Sequence, residues 1–342
     1  MFKISKGLGN LSAEMLCFYR QIGVEEVQVP ARFNANVKLR PLVPPAQSKA
    51  HGPMPAPWDE GELRRICDHV RAFDLEPAAI ALPVSGGILM GREGRDEDLD
   101  DAAGRIEIAG RVGIEVMTWN FTALRASEGY AAQEGAGRGG VHLRDFDHAR
   151  IRTLPPFGDV GEHGMDEMWE RLEYCLRHLV PAAEAAGVKL AMHPNDPPVP
   201  EYRGVAQPLW NLDAMKRLVE IVDSPANCLF FDTGVTTEYG QDAVEAIRYF
   251  GAKERIGIVH FRNVRVEEPH YKYSETFIDE GDCDIAACMR AFAAVGYEGG
   301  IDPDHTPGIA GDTEETQLGW AYAMGQLRAL RLAAYTSGLP SR

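Results

Sequence analysis

The feature that most constrains the fold is a regular alternation of short apolar runs with amphipathic segments. Eight runs are rich in apolar and β-branched residues and are short enough to form single strands: residues 3–7, 26–30, 77–82, 114–119, 189–193, 228–232, 256–260 and 299–302. Segments between them place apolar residues three and four positions apart, and five of these segments are residues 12–22, 60–73, 166–186, 212–222 and 284–295. This spacing predicts helices that bury one face. Strands that alternate with helices predict a parallel sheet.

Eight such units favour a closed (β/α)₈ TIM barrel, because the runs are too apolar to leave one face of an open sheet in water. The 342 residues fit one domain, residues 1–342, since barrels of this class tolerate long loops. Residues 7–10, Gly-Leu-Gly-Asn, lack the third glycine of a dinucleotide-binding turn. Long connections follow strands two, three and four, at residues 31–58, 83–99 and 122–164, and we expect them to cap or shape a substrate pocket.

Charge and hydropathy exclude several classes of partner. The formal net charge of -16 opposes binding to nucleic acid, because the phosphate backbone is also negative. No apolar stretch is long enough to cross a membrane, and residues 1–10 lack the apolar core of a secretory signal, which predicts a soluble cytoplasmic protein. The six cysteines form no Cys-x-x-Cys pair, so we expect buried free thiols.

Metal-binding side chains follow four consecutive strands near the carboxyl end of the chain. His193, Asp232 and His260 each end an apolar run, and the last run leads into a cluster of Asp302, Asp304 and His305. A barrel brings the carboxyl ends of adjacent strands onto one rim, so these residues are expected to converge. Two imidazoles with carboxylates favour a transition metal over Ca²⁺. We therefore predict one divalent metal ion, with Mn²⁺ as the first candidate and Fe²⁺, Co²⁺, Ni²⁺ or Zn²⁺ as alternatives.

These segments resemble the metal-dependent, barrel-type mannonate dehydratases, whose fold is like that of xylose isomerases. The segments that carry the resemblance are His-Pro-Asn-Asp-Pro-Pro at 193–198, Phe-Asp-Thr-Gly at 231–234, His-Phe-Arg at 260–262, Gly-Asp-Cys-Asp at 281–284 and Pro-Asp-His at 303–305. The similarity covers roughly residues 113–332 and includes Trp-Asn-Phe at 119–121 and Leu-Arg-Asp-Phe-Asp at 143–147. The order and spacing of the segments are more specific than any one of them.

The resemblance implies a lyase of carbohydrate metabolism that removes water from a sugar acid, D-mannonate or a related aldonate, to give a 2-keto-3-deoxy acid. It implies metal ligands at the four positions His193, Asp232, His260 and Asp304. It also implies that His305 is a catalytic acid or base. An alternative for His305 is a residue that only orients Asp304.

Four positions depart from the pattern of that family. Asp232 stands where the family has a cysteine, which favours harder metals, and Asn195 replaces an aspartate. Asp302 replaces an arginine, so a substrate carboxylate seated there would meet a negative charge. A family tyrosine aligns with Tyr322 only after a shift of one residue, and Tyr322 is therefore the weaker candidate for a second catalytic role.

Four residues are candidates for binding the substrate: Arg262, Asn120, Asp196 and Asp302. Arg262 lies two residues beyond His260 and so on the same side of its strand, where it is expected to grip a carboxylate or to pair with Asp232. Asn120 and Asp196 are candidates for hydrogen bonds to sugar hydroxyls.

Other functions remain open on the same fold. A sugar isomerase or epimerase usually needs a pair of glutamates at strand ends, and these strand ends carry none. A hydrolase or nuclease with several zinc ions would need more histidines and a basic groove. A non-catalytic sugar-binding barrel is favoured only by Asp302. The partner expected is a small sugar acid, and the sequence leaves open whether the chain is a homo-oligomer.

Overall fold

Eight parallel strands close into one barrel in the computed structural model of the protein, which describes residues 1–33 and 49–336. The barrel strands are β1 (Lys3–Gly7), β2 (Glu26–Val29), β3 (Glu76–Ala81), β4 (Val116–Asn120), β5 (Lys189–His193), β6 (Asn227–Asp232), β7 (Ile256–His260) and β8 (Gly300–Asp302). β1 pairs with both β2 and β8, which closes the barrel. The predicted barrel is confirmed, and each strand lies within two residues of its predicted bounds.

Helices follow the strands, and the longer ones cover the outside of the barrel. They are Ala13–Gln21, Glu60–Arg71, Gly86–Met90, Arg95–Val112, Met165–Ala186, Leu212–Ile221, Thr233–Glu238, Ala243–Ala252, Ile285–Ala294 and Gln317–Thr336. The side chains of Ser12, Asp59 and Asn211 accept backbone N–H groups of the first turn, so these residues fix where their helices begin. All five predicted helices are present.

The three long connections differ from one another. Residues 34–48 of the first connection lie outside the described residues. The connection expected over 83–99 is shorter than predicted, because it contains the helix Gly86–Met90 and the helix Arg95–Val112 begins before its end. The third connection, 122–164, contains two strands that were not predicted.

A second sheet covers part of the carboxyl end of the barrel, and we call it the rim sheet. Its four antiparallel strands lie in the order Asn263–Glu268, Lys272–Thr276, Leu143–Asp147 and Tyr130–Gln133. The first two strands come from the segment after β7, and the other two come from the segment after β4. The rim sheet therefore ties together two connections on the face of the barrel where the predicted site lies.

The barrel interior and the layer beneath the helices form the hydrophobic core. Fully buried aromatic residues include Phe2, Phe250 and Phe292. Five of the six cysteines are buried free thiols, whereas Cys17 is exposed on the helix Ala13–Gln21, so the expectation of burial was wrong for that residue. Among the described residues, no helix has the length and apolar character needed to cross a membrane.

Candidate active site

Three potential metal ligands converge where β5, β6 and β7 end. His193 Nε2 lies 3.2 Å from His260 Nδ1 and 3.4 Å from Asp232 Oδ2. His260 Nδ1 lies 3.6 Å from the same carboxylate oxygen. One donor atom from each residue lies within 4.8 Å of the other two, as a shared metal ion requires. Asp232 and His260 are direct partners in the parallel register of β6 and β7, which explains why residues far apart in the chain meet here.

Asp304 lies beside this group without completing it. Its backbone adopts a left-handed conformation with φ of 58°, and Asp302 Oδ1 accepts its N–H at 2.9 Å. Asp304 Oδ1 lies 3.4 Å from His260 Nε2, whereas the other ring nitrogen of His260 faces His193 and Asp232. The structure therefore brings three of the four predicted ligands together and places Asp304 against the ring of one of them.

Arg262 is buried in the centre of a carboxylate cluster. Its five acidic neighbours are Asp196, Asp232, Glu238, Glu275 and Asp304, at nitrogen–oxygen distances from 2.7 to 3.6 Å. Each of its three nitrogens faces at least one of them. A Cβ at Gly234 would lie 2.7 Å from Cγ of Arg262, so the glycine of Phe-Asp-Thr-Gly gives the arginine its space. Of the two roles expected for Arg262, the ion pair with Asp232 is the one seen.

The same ion pair controls the charge of Asp232. Complete burial would raise the pKa of its carboxyl, but the Arg262 guanidinium, with hydrogen bonds from His193 and His260, holds that pKa well below its usual range. Asp232 Oδ1 also accepts the backbone N–H of Val235 at 2.8 Å, at the start of the helix Thr233–Glu238. Asp232 therefore offers a metal ion an ionised carboxylate that is held in one orientation.

His305 lines the cavity above the three ligands and is oriented by a residue of the rim sheet. His305 Nδ1 lies 2.9 Å from Glu275 Oε2 and 3.5 Å from Asp304 Oδ2. Glu275 Oε1 accepts a hydrogen bond from Arg144, its direct partner across the rim sheet. Burial of the imidazole would by itself lower the pKa of His305. The negative charges of Asp304 and Glu275 outweigh burial and raise that pKa above its ordinary value.

A cavity of about 950 Å³ opens over these residues and contains most of the predicted site. Asn120, Asp196, His193, His260, Asp304 and His305 all line it, together with Lys49, Arg125 and Arg144. The side chain of Asn120 accepts a hydrogen bond from Lys49 Nζ at 2.9 Å. Asp196 Oδ2 accepts from Arg262 at 2.7 Å, and its Oδ1 accepts from the hydroxyls of Tyr130 and Tyr273.

Four predicted site residues are not part of the cavity lining, and two of them, Asp232 and Arg262, are buried next to the candidate ligands. The other two have their partners elsewhere. Tyr322, on the helix Gln317–Thr336, donates its hydroxyl proton to Asp279 Oδ2 at 3.0 Å and accepts from Arg138 at 2.9 Å. Asp302 is buried against Lys6, with Lys6 Nζ 3.0 Å from Asp302 Oδ1. The structure thus gives Asp302 a neutralising partner inside the barrel and does not bring Tyr322 to His305.

Sequence reasoning missed several residues of this site, among them Lys49, Glu275 and Arg144. Lys49 follows a proline-rich segment without a recognisable pattern. Glu275 reaches His305 only because the rim sheet forms. Arg144 belongs to a segment that carries the family resemblance, and this was the one available signal.

The chain is similar to known proteins of one family. The family model for D-mannonate dehydratase (UxuA) matches residues 157–340, more than half of the chain. The mannonate dehydratase of Streptococcus uberis is 28% identical over 310 residues, which cover 82% of this chain and 86% of that protein. The mannonate dehydratase of Streptococcus agalactiae is 26% identical over the same length and the same shares of the two chains.

Solved structures show the same fold. The crystal structure of mannonate dehydratase from Streptococcus suis serotype 2 matches with a TM-score of 0.81 and 22% identity, covering 100% of this chain and 97% of that one. A xylose isomerase domain protein from Alicyclobacillus acidocaldarius matches with a TM-score of 0.61 and 14% identity, covering 98% of this chain and 100% of that one. The family model spans four of the eight strands and every candidate ligand, and it shows that the chain belongs to the mannonate dehydratase family, a family of hydro-lyases.

Proposed function

We propose that the protein is a metal-dependent dehydratase that removes water from D-mannonate or a related aldonate and releases a 2-keto-3-deoxy acid. The observation that carries the proposal is the convergence of His193, Asp232 and His260 at the edge of the cavity that His193, His260 and His305 line. The relatives named above are mannonate dehydratases, which supports a sugar acid as the substrate.

The three donors fit a divalent metal ion. Two imidazoles and one ionised carboxylate suit a transition metal, and a site with three protein ligands leaves positions open for substrate. The absence of a thiolate, since Asp232 stands where the family has a cysteine, favours Mn²⁺ or Fe²⁺ over softer metals. A bound ion would supply a Lewis acid that stabilises negative charge developing on the substrate.

The reaction needs a base for the proton on C2 and an acid for the hydroxyl that leaves C3. Breaking these two bonds gives water and an enol, which becomes the 2-keto-3-deoxy acid when C3 takes up a proton. His305 serves as the base or as the acid. Because Glu275 holds Nδ1 of His305, the other ring nitrogen, Nε2, is the one that exchanges a proton with the substrate.

Turnover of a substrate panel tests this proposal. Protein reconstituted with Mn²⁺ is incubated with hexonates, pentonates and uronates, and 2-keto acid is measured chemically while NMR follows the sugars. We expect 2-keto acid from at least one aldonate, and we expect His305→Ala to retain metal and lose the activity. Interconversion of sugars without 2-keto acid would replace dehydration by isomerisation, and metal binding without any turnover would favour a non-catalytic barrel.

A further inference from the structure

Lys49 and Arg125 form a basic wall in the cavity, and neither was assigned a role by the sequence. The backbone N–H of Lys49 donates to the carbonyl of Ala123 at 2.9 Å, which fixes Lys49 beside the segment that carries Arg125. Both side chains line the cavity. The side-chain oxygen of Asn120 accepts a hydrogen bond from Lys49 Nζ at 2.9 Å and so sets its direction.

The basic wall lies close to the three candidate ligands. Asn120 ends β4 and is the direct partner of His193 in the register of β4 and β5. Neighbouring strands lie about 4.8 Å apart. The Lys49 ammonium group is therefore separated from His193 by about one strand spacing and the length of the Asn120 side chain. An extended six-carbon acid can span this separation.

The acidic groups of the cavity do not neutralise Lys49. Both Asp196 and Asp304 are engaged with Arg262. Among the described residues Lys49 has a hydrogen bond to a neutral amide and no ion pair. Burial, with a contribution from the charge of Arg125, lowers the pKa of Lys49 to about 8.

Three other cations in or near the site are already paired with carboxylates. Arg262 is surrounded by five carboxylates. Arg144 is bound to Glu275 and lies 3.6 Å from the ring centre of Tyr130. Lys6 is bound to Asp302. A carboxylate that enters the cavity therefore finds its cationic partner at Lys49.

We propose that Lys49, with Arg125 beside it, binds the carboxylate of the sugar acid and so selects an acid over a neutral sugar. This inference rests on the proposed function for the identity of the ligand. With its carboxylate at Lys49, the sugar acid has its hydroxyl-bearing carbons toward His193 and His260. Asn120 acts in this arrangement as the residue that positions Lys49.

Ligand affinity tests the proposal independently of turnover. Isothermal titration calorimetry compares D-mannonate with D-mannitol, a six-carbon polyol that carries no charge, in the Mn²⁺-loaded His305→Ala background, which is expected to hold metal without consuming D-mannonate. We expect Lys49→Met to raise the Kd for D-mannonate about tenfold to a hundredfold, as the loss of a charged hydrogen bond does, and to leave the Kd for D-mannitol unchanged. Lys49→Arg should keep most of the affinity for D-mannonate. The matched control is Lys253→Met, which removes an exposed lysine from the outside of the barrel.

Two results would overturn the proposal that Lys49 binds the substrate carboxylate. One is an unchanged Kd for D-mannonate in Lys49→Met, which would leave the carboxylate to the metal site. The other is a wild-type protein that binds no D-mannonate. Failure of the proposed function looks different: the wild type would bind D-mannonate, Lys49→Met would weaken that binding, and no 2-keto acid would form.

Discussion

Arg262 Nε lies 3.0 Å from Asp232 Oδ2, inside the barrel mouth and fully buried. This ion pair links the candidate metal site to the carboxylate cluster behind it. Removing the guanidinium that all five acids face leaves several of them without a cationic partner, whereas removing one acid leaves Arg262 paired with the others. The two kinds of substitution should therefore differ sharply in their effect on the free energy of unfolding.

We predict that Arg262→Met lowers the free energy of unfolding by about 3–5 kcal/mol, the usual effect of breaking a buried ion pair from one side. Glu238→Gln should change it by less than about 1 kcal/mol. Burial, with the nearby charges of Asp196 and Asp232, raises the pKa of Glu238 well above its usual range, which favours the neutral carboxyl that a glutamine resembles. Urea denaturation of both variants without metal gives the comparison. Equal losses of stability in the two variants would show that Glu238 is ionised.

The second prediction concerns the orientation of His305. Glu275→Gln should lower kcat about tenfold or more with metal content unchanged, because an amide holds the ring of His305 less firmly than a carboxylate does. Glu267→Gln is the matched control, since Glu267 is an exposed glutamate of the rim sheet that pairs only with Lys272 in the described structure. Glu275→Asp should recover part of the lost rate. A rate that falls through KM alone would assign Glu275 to substrate binding instead.

The third prediction is a pH dependence of substrate affinity. The pKa of Lys49 is lowered to about 8 by burial and by Arg125, so Lys49 loses its charge as pH rises through that value. The Kd for D-mannonate should therefore increase between about pH 7 and about pH 9.5. Lys49→Arg should remove this increase, because guanidinium stays protonated over the whole range. A wild-type Kd that is constant across the range would contradict the assignment.

The fourth prediction concerns stability at the opposite end of the barrel. Burial and the negative charge of Glu115 raise the pKa of Glu26 from 4.5 to about 7. Its protonated form therefore stabilises the fold fully below about pH 4.5, and this contribution is lost as pH rises through about 7. Glu26→Gln should stabilise the protein by about 1–3 kcal/mol at pH 8 and by little at pH 4.5. Thermal unfolding at both pH values measures the difference, and an equal effect at the two would contradict it.

The barrel and the rim of ligands were predictable because both follow from local pattern. Buried parallel strands are continuous apolar runs, and the polar residue after each run marks the carboxyl end. His193, Asp232 and His260 meet because β5, β6 and β7 are neighbours in sequence order around the barrel. No longer-range information is needed for this part of the site.

The parts that were missed depend on pairings between distant segments. Glu275 and Arg144 are 131 positions apart and meet only in the rim sheet. Asp302 meets Lys6 because β8 pairs with β1 where the barrel closes, so the charge that replaces the family arginine is neutralised inside the barrel. Tyr322 lies on the last helix, where its hydroxyl bonds to Asp279 outside the cavity lining.

The most direct test of the account is a metal titration of the activity. Protein stripped with a chelator is titrated with Mn²⁺ while 2-keto acid is measured from D-mannonate, or from the best aldonate of the panel. The account predicts no activity without metal and a rise that saturates at about one ion per chain. It also predicts that His193→Ala and His260→Ala bind no Mn²⁺ under the same conditions. Full activity in the presence of the chelator, or full metal binding by both variants, would contradict it.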